Sequence, residues 1–257
     1  MIRILSGFTG PGGSTVAFSN LVNLFNANGM KACLYGPHEW EGIKCAYKRE
    51  EPLINTDDTV IYHFRKPPDS RCARMILSTH ETEIFPIKSV EGLKYDAVHF
   101  VSDFQKKWQG VDGTVIPNVV TKYKSIPRHG RQSKVVGIIG SIDQNKRVPK
   151  SIQRALEEGH DDIRLYGNIT DGTYFLKEVL HLLGEKVSYR GISSDMQAVY
   201  DTITDVYHSP KLETFNLIKA ECKYANVNYH GDEGNDTQAE YWDDEKILEA
   251  WKNLLSS

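Results

Sequence analysis

Asp205-Val206-Tyr207-His208-Ser209-Pro210-Lys211-Leu212-Glu213-Thr214-Phe215-Asn216-Leu217-Ile218-Lys219-Ala220-Glu221 reads as one supersecondary unit. Residues 205–208 form a short apolar strand, Ser209-Pro210 opens a turn, and 215–224 carry a helical pattern. Glu213 falls in the loop or first turn. Glu221 stands eight positions on, about two helical turns along the same face. Two carboxylates at the carboxyl end of a strand can bind vicinal hydroxyls such as those of sugars. The helix N-terminus between them offers amides to a phosphate. An arbitrary pair of this kind would be read as solvated glutamates on a surface helix, so the surrounding sequence decides.

Working outward, the same alternation continues in both directions. Upstream lie a strand over 135–139, a helix over 148–158 beginning near Pro149, a strand over 163–166, a helix over 173–183, a strand over 187–190 and a helix over 196–202. Downstream lie a strand over 227–230 and a last helix with Ile247, Leu248, Trp251, Leu254 and Leu255 on one face. The first half begins with a strand over 2–5 and the turn Gly10-Pro11-Gly12-Gly13. Phe18, Leu21, Val22 and Phe25 follow at i, i+3, i+4 and i+7. Ser14 or Thr15 can cap that helix and Gly29 can end it. Further strands are expected over 32–35, 60–64, 75–78 and 97–101, with an edge at Val115-Ile116. Residues 121–134 have no apolar period and hold Lys122, Lys124, Arg128, Arg131 and Lys134, so they read as a linker.

Repeated strand–helix alternation implies α/β architecture with parallel sheets covered on both faces. Occurring twice, it predicts two Rossmann-like domains facing across a cleft. The expected limits are 1–125 for the first, 126–134 for the linker and 135–237 for the second. A C-terminal helix within 238–257 could pack back on the first domain. Ligands of such sheets bind at the carboxyl ends of the strands. The loops after Leu5, Ser78, Ile139, Arg190 and His208 are therefore the places to look.

Composition removes other classes. The chain has 257 residues, 40% hydrophobic and 25% charged, with a net charge of −3. It is neither disordered nor collagen-like, and no apolar run approaches a membrane span. Residues 1–134 hold 18 basic against 13 acidic residues, and 135–257 hold 13 against 21, which suggests two units with different partners. Acidic overall charge without a basic-aromatic stripe argues against nucleic acid. Cys33, Cys45, Cys72 and Cys222 form no CxxC pair, so reduced thiols and a cytoplasmic location are expected. The N-terminus lacks the apolar core of a signal peptide. The basic run over 121–134, within the basic half, could meet an anionic membrane surface peripherally, although a plain linker accounts for it more simply.

The turn from Gly7 to Ser14 nearly spells a P-loop, but Gly13 stands where the lysine belongs and the turn holds none, so an NTPase is excluded. What remains is a strand–glycine–helix junction whose amides can approach an anion or a sugar. Asp-x-Asp is absent, and Asp57-Asp58, Asp161-Asp162 and Asp243-Asp244 read as solvated surface, so no metal site and no cofactor are expected. His63, His99, His208 and His230 read as packed strand residues. His80 is the exception, at a strand end beside a polar loop. Trp40, Trp108, Trp242 and Trp251 form no stacking series and read as core or interface.

In this setting Glu213 and Glu221, spaced Glu-x7-Glu after a Ser-Pro element, resemble the signature of retaining GT-B glycosyltransferases of family 4. Gly12-Gly13 is similar to that family's acceptor-side glycine pair, and Ser78-Thr79-His80 to its strand-ending T-x-H element. Val101-Ser102 followed by Val115-Ile116-Pro117-Asn118 resembles its V-S … V-I-P-N segment. Gly140 to Lys146 resembles G-R-L-x-x-x-K, Leu165-Tyr166-Gly167 the following strand end, and Val187 to Gly191 resembles V-x-F-x-G. The likeness runs from residue 1 to about 231, on a chain short for that family. The sequence departs from the pattern at three places. Ser141 replaces an arginine that helps neutralise the donor diphosphate, where Arg147 could compensate. Asn216 replaces a glycine, and Ala225-Asn226 replaces a glycine-proline turn.

The resemblance implies metal-independent transfer of a sugar from a nucleotide diphosphate to an acceptor hydroxyl, with retention. It gives Glu213 the donor-sugar hydroxyls and Glu221 the ribose hydroxyls. Lys146 and the amides of Phe215, Asn216 and Leu217 would meet the diphosphate, with Gly140 and Arg147 alongside. Gly191 and Ile192 would meet the base. His80 would contact the donor sugar near the reacting centre, and Gly12 and Gly13 the acceptor, either a saccharide or a lipid-linked sugar. Two other readings stand beside it. One is a reduced GT-B protein that binds a nucleotide sugar or a partner enzyme without turnover. The other is a nucleotide-sugar epimerase, which the glutamate pair disfavours.

Overall fold

The structure is a computed structural model and describes residues 1–65, 72–81, 95–125, 134–232 and 240–257. The chain divides into two compact units, Met1–Val119 with Gln238–Ser257, and Val120–Thr237.

The first unit is built on strands β1 (Ile2–Ser6), β2 (Ala32–Tyr35), β3 (Tyr47–Lys48), β4 (Thr59–His63), β5 (Arg74–Thr79), β6 (Ala97–Phe100) and β7 (Thr114–Val115). They form a parallel sheet in the order β3-β2-β1-β4-β5-β6-β7. The order reverses between β1 and β4, so their carboxyl ends, paired as Ser6 with His63, open the crevice where such sheets hold ligands. Helix α1 (Gly13–Ala27) buries Phe18, Leu21, Val22 and Phe25, as their spacing predicts. Its cap differs from expectation. Gly12 occupies the N-cap with extended backbone and no side-chain cap, and Ser14 and Thr15 lie inside the first turn. The helix is entered at least two residues earlier than expected, at Gly12, since glycine serves at the N-cap about as well as threonine. Gly29, at φ 77°, follows the last turn as expected.

Two elements escaped the sequence reading, the two-residue β3 and helix α2 (Asp103–Gln109). The latter is capped by Ser102, whose Oγ accepts the Gln105 amide. The core joins Ile4, Leu34, Ile61 and Ile76 of the sheet to α1 and to one face of the C-terminal helix (Asp244–Ser256), through Ile247, Leu248, Trp251 and Leu254. Trp251 is buried, edge-on to Phe25 at 5.9 Å.

The second unit begins earlier than the expected limit. Residues 120–125 belong to it, and the backbone of Lys124 exchanges hydrogen bonds of 2.8 and 3.1 Å with the Gln197 side chain. The rest of the expected linker, 126–133, lies outside the described residues. Strands β8 (Val135–Ile139), β9 (Asp162–Tyr166), β10 (Val187–Gly191), β11 (Asp205–His208) and β12 (Asn228–Gly231) form a parallel sheet ordered β10-β9-β8-β11-β12. Alternate residues of β8 serve opposite faces. Val136 and Ile138 pack with Ile152 and Ala155 of α3 (Val148–Glu157), while Val135 and Ile139 pack with Val199 of α5 (Met196–Thr202) and Cys222 and Ala225 of α6 (Leu217–Ala225). Between α3 and α5, the expected helix over 173–183 is one α turn (α4, Gly172–Tyr174) running into π and 3₁₀ turns, Phe175–Val179 and Leu180–Leu182. Here the order reverses between β8 and β11, which puts the loops after Ile139 and His208 side by side.

No helix among the described residues is long and apolar enough to cross a membrane.

Candidate functional site

At the end of β8 the chain turns on Gly140, at φ 132°, whose amide bonds Tyr166 at 2.9 Å. A Cβ on Gly167, at φ 153°, would lie 1.8 Å from the Gly140 carbonyl oxygen, so the two loops meet at a distance only glycine permits. Asp143 then organises the following turn. One carboxylate oxygen accepts the amides of Asn145 and Lys146, both at 2.9 Å, and the other accepts the hydroxyls of Ser141 and Thr170 at 2.6 and 3.2 Å. Asn145 ties this loop to the one after β11. It accepts the amide of Lys211 on its carbonyl and that of Leu212 on its side chain, and donates to the Leu212 carbonyl.

This zipper brings Lys146 to Glu213. They form a short ion pair, with side chains 20% and 12% exposed. Burial pushes the Glu213 carboxyl up, but the Lys146 charge and the His208 ring overcome it and hold the pKa at about 2. Glu213 is a carboxylate throughout the physiological range.

Glu221 differs in every respect. It lies within α6, 6% exposed, and accepts a 2.8 Å hydrogen bond from the Tyr200 hydroxyl. Burial raises its pKa to about 7, against that bond. The two glutamates therefore do not share a helix face. The helix starts at Leu217 rather than Phe215, because Asn216 serves as its N-cap, with Oδ1 accepting the Lys219 amide at 3.0 Å. Phe215 is buried ahead of it, and the Leu217 amide is turned to the Phe215 carbonyl at 3.1 Å. Asn216 has an ordinary φ of −83°, and Asn226 takes the left-handed position at φ 55° that closes α6. Asn226 thus does what glycine would otherwise do, whereas the backbone at Asn216 needs no glycine.

Arg147 is committed elsewhere. Its guanidinium donates to the carbonyls of Ser209 and Pro210 and to Asp232, at 2.7, 2.9 and 2.9 Å. Lys150 and Arg154 also pair with Asp232. The expected substitute for the missing arginine is instead a clamp on the turn leading to Glu213. Gly191, at φ 76°, ends β10 and accepts the Gly167 amide, and Ile192 beyond it is 47% exposed.

In the first unit, Gly12 and Gly13 open α1 beside the carboxyl end of β1. His80 follows the end of β5, and the loop expected beside it lies, beyond Glu81, outside the described residues. The histidine is 8% exposed, with its ring 4.6 Å from that of Phe18, on a small cavity also lined by Leu21, His99 and Trp251. Burial, with His63 and His99 beside it, pushes its pKa well below the usual value, so it is neutral at pH 7. His63 bridges Ser6 Oγ at 2.9 Å and Glu81 at 3.2 Å, and Glu81 also accepts the His80 amide.

Sequence reasoning missed Asp143, Asn145, Tyr200 and the His63–Glu81 pair. It also read His208 as mere packing, although its Nε2 lies 3.4 Å from Glu213. Their place at or beside the carboxyl ends of strands flanking each reversal was the available signal for His63 and His208.

No family model and no curated protein matches the sequence. Solved structures do match. HepE of Anabaena in complex with UDP-glucose aligns with a TM-score of 0.70 at 13% identity, over 98% of this chain and 89% of that one. WaaG, a glycosyltransferase involved in lipopolysaccharide biosynthesis, aligns at 0.64 and 11% identity over 100% and 91%. TarM aligns at 0.61 and 15% identity over 79% of this chain, which spans 56% of the TarM chain. The fold of this chain is therefore the GT-B fold of two parallel α/β units, as expected. The HepE and WaaG matches also show solved chains of comparable extent.

Proposed function

We propose that the chain is a retaining glycosyltransferase that takes a sugar from a nucleotide diphosphate and passes it to a saccharide or lipid-linked acceptor. The observation that carries this reading is the Lys146–Glu213 pair at the strand-order reversal of the second unit, with Glu221 buried in the next helix. Likeness in fold to HepE, solved with UDP-glucose, supports a uridine nucleotide as the first donor to test.

Each group has a task in the transfer. Glu213, fully ionised, accepts hydroxyls of the donor sugar. Lys146 carries the cation that meets negative charge developing on the leaving diphosphate. Glu221, with Tyr200 fixing one oxygen, accepts the ribose hydroxyls, and Ile192 covers the base. The leaving phosphate takes the acceptor proton on the same face, so no protein nucleophile and no metal are required. In the first unit the Gly12-Gly13 turn receives the acceptor. There His80 offers a neutral imidazole rather than a charge.

A second reading is favoured by one observation. Ser141 spends its hydroxyl on Asp143 and Arg147 is spent on Asp232, so Lys146 faces the diphosphate without either. On that reading the chain binds the nucleotide sugar without turnover. Titration with UDP, GDP and ADP, followed by time courses with the matching sugar nucleotides in excess EDTA, separates them. Binding with transfer supports the enzyme, binding alone the second reading, and an absolute need for Mn²⁺ contradicts metal independence.

A further inference from the structure

The loop that presents Glu213 contains a relay of polar groups that the functional reading does not use. Asn216 accepts the Lys219 amide on Oδ1, which fixes the amide so that its nitrogen faces the other way. That nitrogen can only donate. It lies 2.7 Å from the Tyr229 hydroxyl and 3.4 Å from His208 Nδ1. Having accepted from Asn216, the Tyr229 hydroxyl has its own hydrogen to offer to His208 Nδ1, 3.3 Å away. With Tyr229 donating, two donors face Nδ1, the arrangement that suits a bare nitrogen there. The ring proton is then on Nε2, which lies 3.4 Å from Glu213 Oε1 and makes no hydrogen bond among the described residues.

We propose that His208, held as its Nε2–H tautomer by Asn216 and Tyr229, is a positioning residue that, beside the same carboxylate oxygen as Lys146, aims Glu213 at the donor sugar. The inference rests on the reading of Glu213 as the sugar-binding carboxylate. It also gives a reason for Asn216 where the resembled family has glycine, since a glycine would supply neither the cap nor the donor. Gly231 leaves room for the relay, because a Cβ there would lie 2.6 Å from the Tyr229 ring. The charged and titratable groups facing His208 are Glu213, with Lys146 behind it, and Tyr229. At 3.4 Å the His208–Glu213 contact is longer than an ordinary hydrogen bond, so it orients the carboxylate while leaving its lone pairs to sugar hydroxyls.

The test begins on the ligand-free full chain. Long-range ¹H–¹⁵N spectra of the imidazoles should show His208 with a protonated Nε2 and a bare Nδ1 at pH 7. A protonated Nδ1 would overturn the proposal. Carboxyl ¹³C spectra should then show Glu213 titrating higher in His208→Leu by about one unit or more, and returned in His208→Gln, whose amide restores a donor near Nε2. An unchanged titration in His208→Leu, or no return in His208→Gln, would overturn it. If His208→Leu does not fold, Tyr229→Phe removes a single oxygen, and the His208 ring should then lose its fixed tautomer. A retained tautomer would count against the relay. With UDP-glucose, His208→Leu should raise KM or lower kcat while UDP affinity stays unchanged. Absence of any nucleotide binding in the wild type would sink the functional reading, whereas a wrong tautomer with intact UDP binding would sink only the relay.

Discussion

Lys146, from the loop after β8, and Glu213, from the loop after β11, form an ion pair across the strand-order reversal of the second unit. The pair locks two loops that Asn145 already zips together, and it sets the charge of the site. Glu213, held at about 2 against ~4.3 in an unfolded chain, gives stability that is complete above the higher value and is lost as pH falls through the lower one. Lys146→Met leaves that buried carboxylate without its cation. It should cost on the order of 3 kcal/mol at pH 7, read by urea unfolding, and abolish transfer. A variant as stable as the parent would show that the pair is not coupled to the fold.

Glu221 should behave in the opposite sense. Its pKa of about 7 lies above the ~4.3 of an unfolded chain, so the folded protein holds a proton the unfolded chain lacks between those values. Its contribution is therefore most favourable at low pH and declines as pH rises toward 7. Glu221→Gln should raise the melting temperature at pH 8, with a difference that shrinks toward pH 4, while weakening UDP binding. A difference independent of pH would contradict the burial argument.

Gly167→Ala tests the contact between the loops after β8 and β9. The added methyl has no room beside the Gly140 carbonyl, and φ 153° is strained for any other residue. The expected loss is on the order of 3 kcal/mol or more, seen as early unfolding of the second unit. Normal stability would mean that the loops part easily.

Trp251→Ala tests the C-terminal helix as part of the first unit. Removing a fully buried indole beside Phe25 should cost about 3–5 kcal/mol in thermal or urea unfolding. An unchanged transition would show that the helix packs only weakly.

The sheets were legible because parallel strands buried on both faces appear as short apolar runs, as at Val135–Ile139 and Ala32–Tyr35. The exceptions have physical causes. Strand β3 is two residues long and carries no period. Helix α2 is seven residues, marked only by the Ser102 to Gln105 spacing of a capping box. In the site, Glu213 and Glu221 were found by spacing, and Lys146 through the family resemblance. Their environments were not, because burial and partners come from residues distant in sequence. Tyr200 against Glu221, Asp232 against Arg147, and Tyr229 against Asn216 are contacts that no local pattern encodes. Asn216 was noticed as a departure, and its use as cap and donor emerged only with the fold.

The central claim is that a nucleotide sugar binds at the second unit's reversal, with Glu221 on the ribose and Glu213 on the sugar. Titrating UDP and UDP-glucose in parallel into wild type, Glu221→Ala and Glu213→Ala, by ligand-observed NMR, tests it most directly. The account predicts that Glu221→Ala weakens both ligands, while Glu213→Ala spares UDP and weakens only UDP-glucose. If UDP and UDP-glucose, and GDP, ADP and their sugars in the same panel, fail to bind wild type, or if Glu213→Ala costs UDP more than Glu221→Ala does, the assignment is wrong.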